Sequence, residues 1–225
     1  MITTGANYNR LEAEGRERFE GVGVYYAATA FESKVCRGAT VIVVGGGNSA
    51  GQAAMYLSQG AAKVLLVIRG NDLTNSMSDY LSRRVLVQKN IELLSCTTIR
   101  GMTGNSVLKA VELENAKTGE RRTVETPAVF SMMGATPCTE WLPPEIVRDK
   151  KGFIHTGTHV ADAPLWANAK RSPAPLETSL PGIFAAGDVR SGSVKRCAAA
   201  VGEGSTVVAG VHEALRDGAG QKSEG

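Results

Sequence analysis

Apolar positions run unbroken from Val41 to Val44 and again from Val64 to Ile68, each run bounded by glycine or polar residues. Runs of that length without alternation predict strands buried on both faces. The stretch between them is amphipathic and predicts a helix, so residues 40–69 read as strand, glycine turn, helix and second strand: a βαβ unit. Met77, Tyr80 and Leu81 then fall at i, i+3 and i+4. That spacing predicts a helix over 77–86 with all three in the core, capped by Ser76 with Asp79 completing the capping pair. Residues 91–99 read as a strand, 106–114 and 121–126 as a hairpin about a turn at 115–120, and 128–133 as a buried strand ending at Gly134. The order predicts an α/β nucleotide domain crossed by an antiparallel meander.

The pattern is weaker elsewhere. Residues 11–23 read as polar connection, and 24–31 as small and aromatic residues without a clear period. Beyond Gly134 the prolines at 143, 144, 164, 173, 175 and 181 predict a loop-rich segment, relieved by a short strand over 152–156. A strand over 183–186, a turn at Gly187-Asp188 and a helix over 194–215 follow. Residues 1–6 read as the end of a strand with no earlier neighbour to pair with.

With 225 residues, 43% of them hydrophobic and 21% charged, the chain can bury a real core as one large or two small domains. A net charge of +3 without a long basic run implies neither nucleic acid nor an anionic membrane as partner. Strand-sized apolar runs and the lack of a leader-like start give the expectation of a cytoplasmic protein. Cys36, Cys96, Cys138 and Cys197 are scattered without CxxC spacing, which argues against a zinc site or a redox pair adjacent in sequence. His155, His159 and His212 stand apart, as surface or capping residues do, and no Ser/His/Asp spacing or paired acids suggest hydrolysis.

The candidate chemistry sits at the end of the first buried strand. Gly45-Gly46-Gly47-Asn48-Ser49-Ala50 is a GxGxxA turn. Gly45 lets the chain turn, Gly47 clears space for a pyrophosphate, and Ala50 lets the helix approach the strand. The helix start offers unpaired N–H groups and the positive end of its dipole. At the end of the second strand, where an acid would grip the ribose of NAD, Arg69 stands instead. A guanidinium there pairs with a 2′-phosphate, which leans the cofactor towards NADPH, with NADH as the alternative.

GGGNSA at 45–50, TSLPGIFAAGDV at 178–189 and AAAVGEGS at 198–205 together resemble the low-molecular-weight thioredoxin reductases, within the two-dinucleotide-domain flavoproteins. The resemblance covers nearly the whole chain. It implies an α/β fold in which a Rossmann-like NAD(P)H-binding domain, residues 12–133, is inserted in a partial second α/β domain of FAD type, residues 1–11 and 134–225. It further implies that Gly187 and Asp188 meet FAD, with Asp188 accepting a hydrogen bond from the ribityl chain, and that Lys195, Arg196 and Cys197 lie beside the flavin. A homodimer is a further expectation.

Three departures qualify it. The family's redox phrase resembles GVSxCATC, and here reads GVYYAATA, with Ala27 and Ala30 at the cysteine positions. The phosphate clamp resembling HRRxxxR is reduced to Arg69, with Gly70 and Thr74 in place of the other arginines. No second GxGxxG is present to hold a flavin pyrophosphate, so FAD binding is expected only where a further amino-terminal segment supplies it. The expected function is hydride transfer from NADPH to FAD, with no catalytic residue assigned and an unidentified electron acceptor that is not reached through CxxC. The alternative is a non-catalytic nucleotide- or redox-sensing module of a larger signalling protein.

Overall fold

The computed structural model describes residues 1–29, 34–74, 76–167, 169 and 171–220. They form two compact units, Tyr8–Gly134 and Met1–Asn7 with Ala135–Gly225, joined where the chain passes from Asn7 to Tyr8 and from Gly134 to Ala135. Among the described residues no helix is long and apolar enough to cross a membrane.

The unit Tyr8–Gly134 is built on a five-stranded parallel sheet. Its strands are β2 (Val24–Tyr25), β3 (Thr40–Val44), β4 (Lys63–Val67), β5 (Ile91–Leu94) and β9 (Val129–Ser131), in the order β2-β9-β3-β4-β5. Helix α1 (Asn48–Leu57) links β3 to β4, and α2 (Asp79–Val87) links β4 to β5. Period-two alternation decides what each face covers. Val41, Val43, Val64, Leu66 and Phe130 pack on Ala50, Ala53, Ala54 and Leu57 of α1 and on Leu81 and Val85 of α2. Ile42, Val44, Leu65, Val67 and Val129 turn the other way, onto an antiparallel sheet of β6 (Thr97–Gly104), β7 (Leu108–Asn115) and β8 (Arg121–Glu125). Each such side chain removed from water contributes roughly 1.5–3 kcal/mol, which explains why Val41–Val44 and Val64–Val67 carry no polar residue.

The strand expected over 91–99 is two strands in different sheets. Cys96 has φ 52, which turns the chain from β5 into β6, and its N–H and C=O are tied to Gly70 O at 2.9 Å and Ala116 N at 2.7 Å. The helix expected from residue 77 starts at Asp79 with Ser78 before it. Ser76 does not cap it, because its hydroxyl donates to Gly46 O at 2.8 Å. Met77 and Leu81 are buried, whereas Tyr80 is 70% exposed and lies under the Arg84 guanidinium rather than in the core. The segment 11–23 is more than polar connection: a 3-10 turn at Arg16–Phe19 buries Phe19 fully, and Leu11 is buried with it.

At the two chain crossings, β1 (Ala6–Tyr8) and β10 (Ala135–Pro137) form a two-stranded sheet. In the other unit, the strands expected over 152–156 and 183–186 are single bridges: Ile154 to Arg148 and Arg190, Phe184 to Glu177, and Ala185 to Ile2. Residues 1–6 do find a partner, since Ile2 N donates to Phe184 O at 2.7 Å and its carbonyl accepts from Ala186 N at 3.0 Å. Helix α3 spans Cys197–Gly220 and does not begin at residue 194; Arg196 O accepts its first bond, from Ala200 N. Val207 of α3 packs on Leu176, Phe184 and Ala186.

With prolines in place of ladders, this unit leans on a buried carboxylate. Glu177 is 0% exposed and accepts two bonds of 2.7 Å from Arg171, with Ala174 N at 3.0 Å and Gly182 N at 2.6 Å. Burial pushes its pKa up, but those donors outweigh burial and hold it below the usual carboxylate range. Glu177→Gln is expected to cost about 1.5–3 kcal/mol at neutral pH, because the buried carboxylate accepts from Arg171 and from two backbone N–H groups, and an amide presents its NH2 to some of those donors. A carboxylate with a depressed folded pKa contributes stability above its unfolded pKa and loses it as pH falls through the folded value. The gap between wild type and variant should therefore close on acidification, as read by urea unfolding at a series of pH values.

Candidate functional site

The glycine turn between β3 and α1 separates its glycines by what each does for the fold. Gly45 has φ +139, and a Cβ there would lie 2.5 Å from Met132 O and 3.3 Å from the Ala50 Cβ. Only glycine fits. A Cβ on Gly46 would meet Ser76 Oγ at 2.9 Å. Gly47 is different: its φ of −87 and ψ of 179 suit any residue, and the nearest atom to a Cβ is Ser76 O at 3.7 Å. The protein itself leaves that space open. Ala50 is fully buried against the turn, and Gly51, which the sequence pattern did not single out, admits Met77 and Leu81 to within 2.8 Å of where its Cβ would be.

Gly47 caps α1 without a side-chain hydrogen bond, and the first turn carries no acidic residue. The N–H groups of Asn48 and Ser49 thus stand at a positive helix end, where no anion among the described residues meets them. Asn48 is exposed, with Oδ1 accepting from Ser78 N at 2.7 Å; Ser49 is exposed as well. Arg69 is exposed just past β4 and makes no hydrogen bond or ion pair with the described residues. Gly45 to Ala50 and the loop carrying Arg69 are held together by Ser76 and Ser78, which the sequence reading missed for this role.

The second set of candidates lies in the other unit. Gly187 has φ +79 and its N–H donates to Glu203 Oε2 at 2.7 Å. Glu203 also holds Arg190, at 3.1 Å from Nε and 2.5 Å from Nη2, and Arg190 reaches Thr156 Oγ1 at 2.9 Å. The Arg190 bonds, followed by that of Gly187, keep the Glu203 carboxyl below its usual range. Asp188 is half-buried and its carboxylate accepts no hydrogen bond from the described residues. Lys195 lies beside it, with Nζ 3.3 Å from Asp188 O and 4.2 Å from the centre of the Phe153 ring. Burial pushes the Lys195 pKa down. Arg196 and Cys197 are exposed and are not gathered with these groups. Ala27 is half-buried just past β2, and Ala30 lies outside the described residues.

A profile of the pyridine nucleotide-disulphide oxidoreductases matches residues 1–204. The chain belongs to that family. Within it the chain is thioredoxin reductase-like: it is 30% identical over 205 residues to the thioredoxin reductase of Treponema pallidum, covering 91% of this chain and 60% of that protein. Its fold superposes on the thioredoxin reductase of Giardia duodenalis with a TM-score of 0.81 at 29% identity, and on that of Streptococcus pyogenes with 0.78 at 31%. Each structural match covers 96% of this chain and 65% of the other. The chain thus spans roughly three-fifths of the length of the family members it matches. The parallel sheet with its glycine turn is the α/β, Rossmann-like feature shared with those structures.

Proposed function

We propose that the unit Tyr8–Gly134 binds a reduced nicotinamide dinucleotide at the turn Gly45–Ala50, and that the unit carrying Gly187, Asp188 and Lys195 is the corresponding part of an FAD-type domain. The observation that carries this reading is the open space at Gly47, next to the uncapped amino end of α1. A pyrophosphate fills such a space with negative charge directed at free N–H groups. At the flavin side, the Asp188 carboxylate, which accepts no hydrogen bond from the described residues, suits a hydroxyl donor such as a ribityl chain. When bound, flavin supplies a hydride acceptor and passes electrons onward. This chain's residues bind and orient: the glycine turn holds the dinucleotide, and Lys195 sets a cation beside Asp188.

The whole activity proposed is NAD(P)H-dependent flavin reduction, with an electron acceptor other than a dithiol at positions 27 and 30. Arg69 tests the placement of the nucleotide. If its guanidinium pairs with a 2′-phosphate, Arg69→Ala weakens NADPH binding by about 1.5–3 kcal/mol, the worth of a charge-assisted hydrogen bond, and leaves NADH nearly unchanged. Calorimetric titration with both nucleotides reads this out. Equal loss for both would put Arg69 against the adenine, and no loss for either would mean that it is solvated.

A further inference from the structure

The loop after β4 contains chemistry that the glycine turn does not explain. In dinucleotide-binding βαβ units the end of the second strand meets the adenosine ribose, so the charges of this loop act on the ribose 2′ position. The loop is fixed relative to the turn. Leu73 is 2% exposed and anchored in the core, the Ser76 hydroxyl donates to Gly46 O at 2.8 Å, and Ser78 N donates to Asn48 Oδ1 at 2.7 Å. Gly70 O accepts from Cys96 N at 2.9 Å.

Within that frame Asp72 Oδ1 accepts the Thr74 N–H at 2.9 Å and the Thr74 hydroxyl at 2.5 Å. Two donors that could serve a phosphate are therefore spent on a carboxylate. The Thr74 hydroxyl, and then its N–H, hold the Asp72 carboxyl below the usual range, so it is an anion at neutral pH. Between Ile68 and Thr74 the only charged residues are Arg69 and Asp72, one of each sign. A phosphate monoester carries nearly two negative charges at neutral pH and gains little from such a loop. A ribose hydroxyl is a donor, and a carboxylate is what accepts it.

We propose that Asp72 is a specificity-determining residue that opposes Arg69 at the ribose 2′ position and turns the site towards NADH. This rests on the reading of the glycine turn as a nucleotide site. It adds that the arginine is not the only residue that sets the choice of cofactor.

The test is a pair of dissociation constants, for NADH and NADPH, measured at low salt on the 225-residue chain and on Asp72→Asn. Asparagine keeps an oxygen acceptor for Thr74 and removes only the charge, so the loop is expected to hold its shape. The unsubstituted chain should bind NADH at least as tightly as NADPH. Asp72→Asn should tighten NADPH about tenfold and change NADH by less than about threefold, with the gain shrinking as salt is raised. An unchanged NADPH to NADH ratio in the variant, with both nucleotides bound, overturns the proposal and leaves the nucleotide site standing. A tenfold or greater preference of the unsubstituted chain for NADPH also overturns it. Binding of neither nucleotide to either protein fails the nucleotide site, and the proposal with it.

Discussion

Gly47→Val is expected to abolish nucleotide binding while leaving the chain folded. The two effects separate because the fold makes no demand for glycine at this position: the backbone is extended, and a Cβ meets nothing closer than 3.7 Å. A β-branched residue accepts that conformation, and its cost to the fold is about 1 kcal/mol, that of a poor helix cap. Its branched side chain then occupies the volume in which a pyrophosphate would approach the N–H groups of α1. Affinity should fall by about 3 kcal/mol or more, a factor above a hundred. The control is Gly45→Ala, where φ +139 and a clash of 2.5 Å with Met132 O predict lost stability first. Circular dichroism and calorimetry on the two variants read fold and binding apart. Unchanged affinity in a folded Gly47→Val protein would move the site away from this turn.

NADPH-dependent reduction of thioredoxin is expected to be absent in any longer form of this protein that keeps alanine at 27 and 30. Disulfide exchange needs a thiolate nucleophile and a second thiol to close the intramolecular disulfide, and a methyl group supplies neither. Ala27 is half-buried just past β2, and the sequence resemblance is what assigns positions 27 and 30 to the dithiol. Cys36 and Cys96, in the same unit, are 1% and 7% exposed, too enclosed to present a sulfur to a partner protein. Cys138 and Cys197 belong to the other unit. A coupled insulin-reduction assay with thioredoxin and NADPH should stay at background. Turnover that is lost in Cys197→Ser would reveal a redox pair assembled from distant cysteines.

What the sequence revealed follows the range over which each feature is determined. β3, α1 and β4 were legible because an apolar run, three small residues and a second run are all local, and the glycine turn came with them. The break at Cys96 was not, since IELLSCTTI reads as one strand and only the bonds to Gly70 and Ala116 show why the chain turns. Tyr80 fitted a helical spacing, yet α2 is narrow enough in its contacts that this position faces water. Ser76 and Ser78 lie 30 residues from Gly46 and Asn48, the residues they bond. Glu203 lies 13 residues from Arg190, although its segment AAAVGEGS already carried the family likeness. Such pairings are set by folding, and no local pattern encodes them.

The central claim, a nicotinamide nucleotide held at the amino end of α1, is tested most directly by mapping amide chemical shifts as NADH or NADPH is titrated into the isotopically labelled chain. The largest saturable shifts should fall on Gly45 to Ala50 and on the loop from Arg69 to Ser76, and they should vanish in Gly47→Val. Shifts centred elsewhere, or shifts at the turn that survive Gly47→Val, would contradict the account.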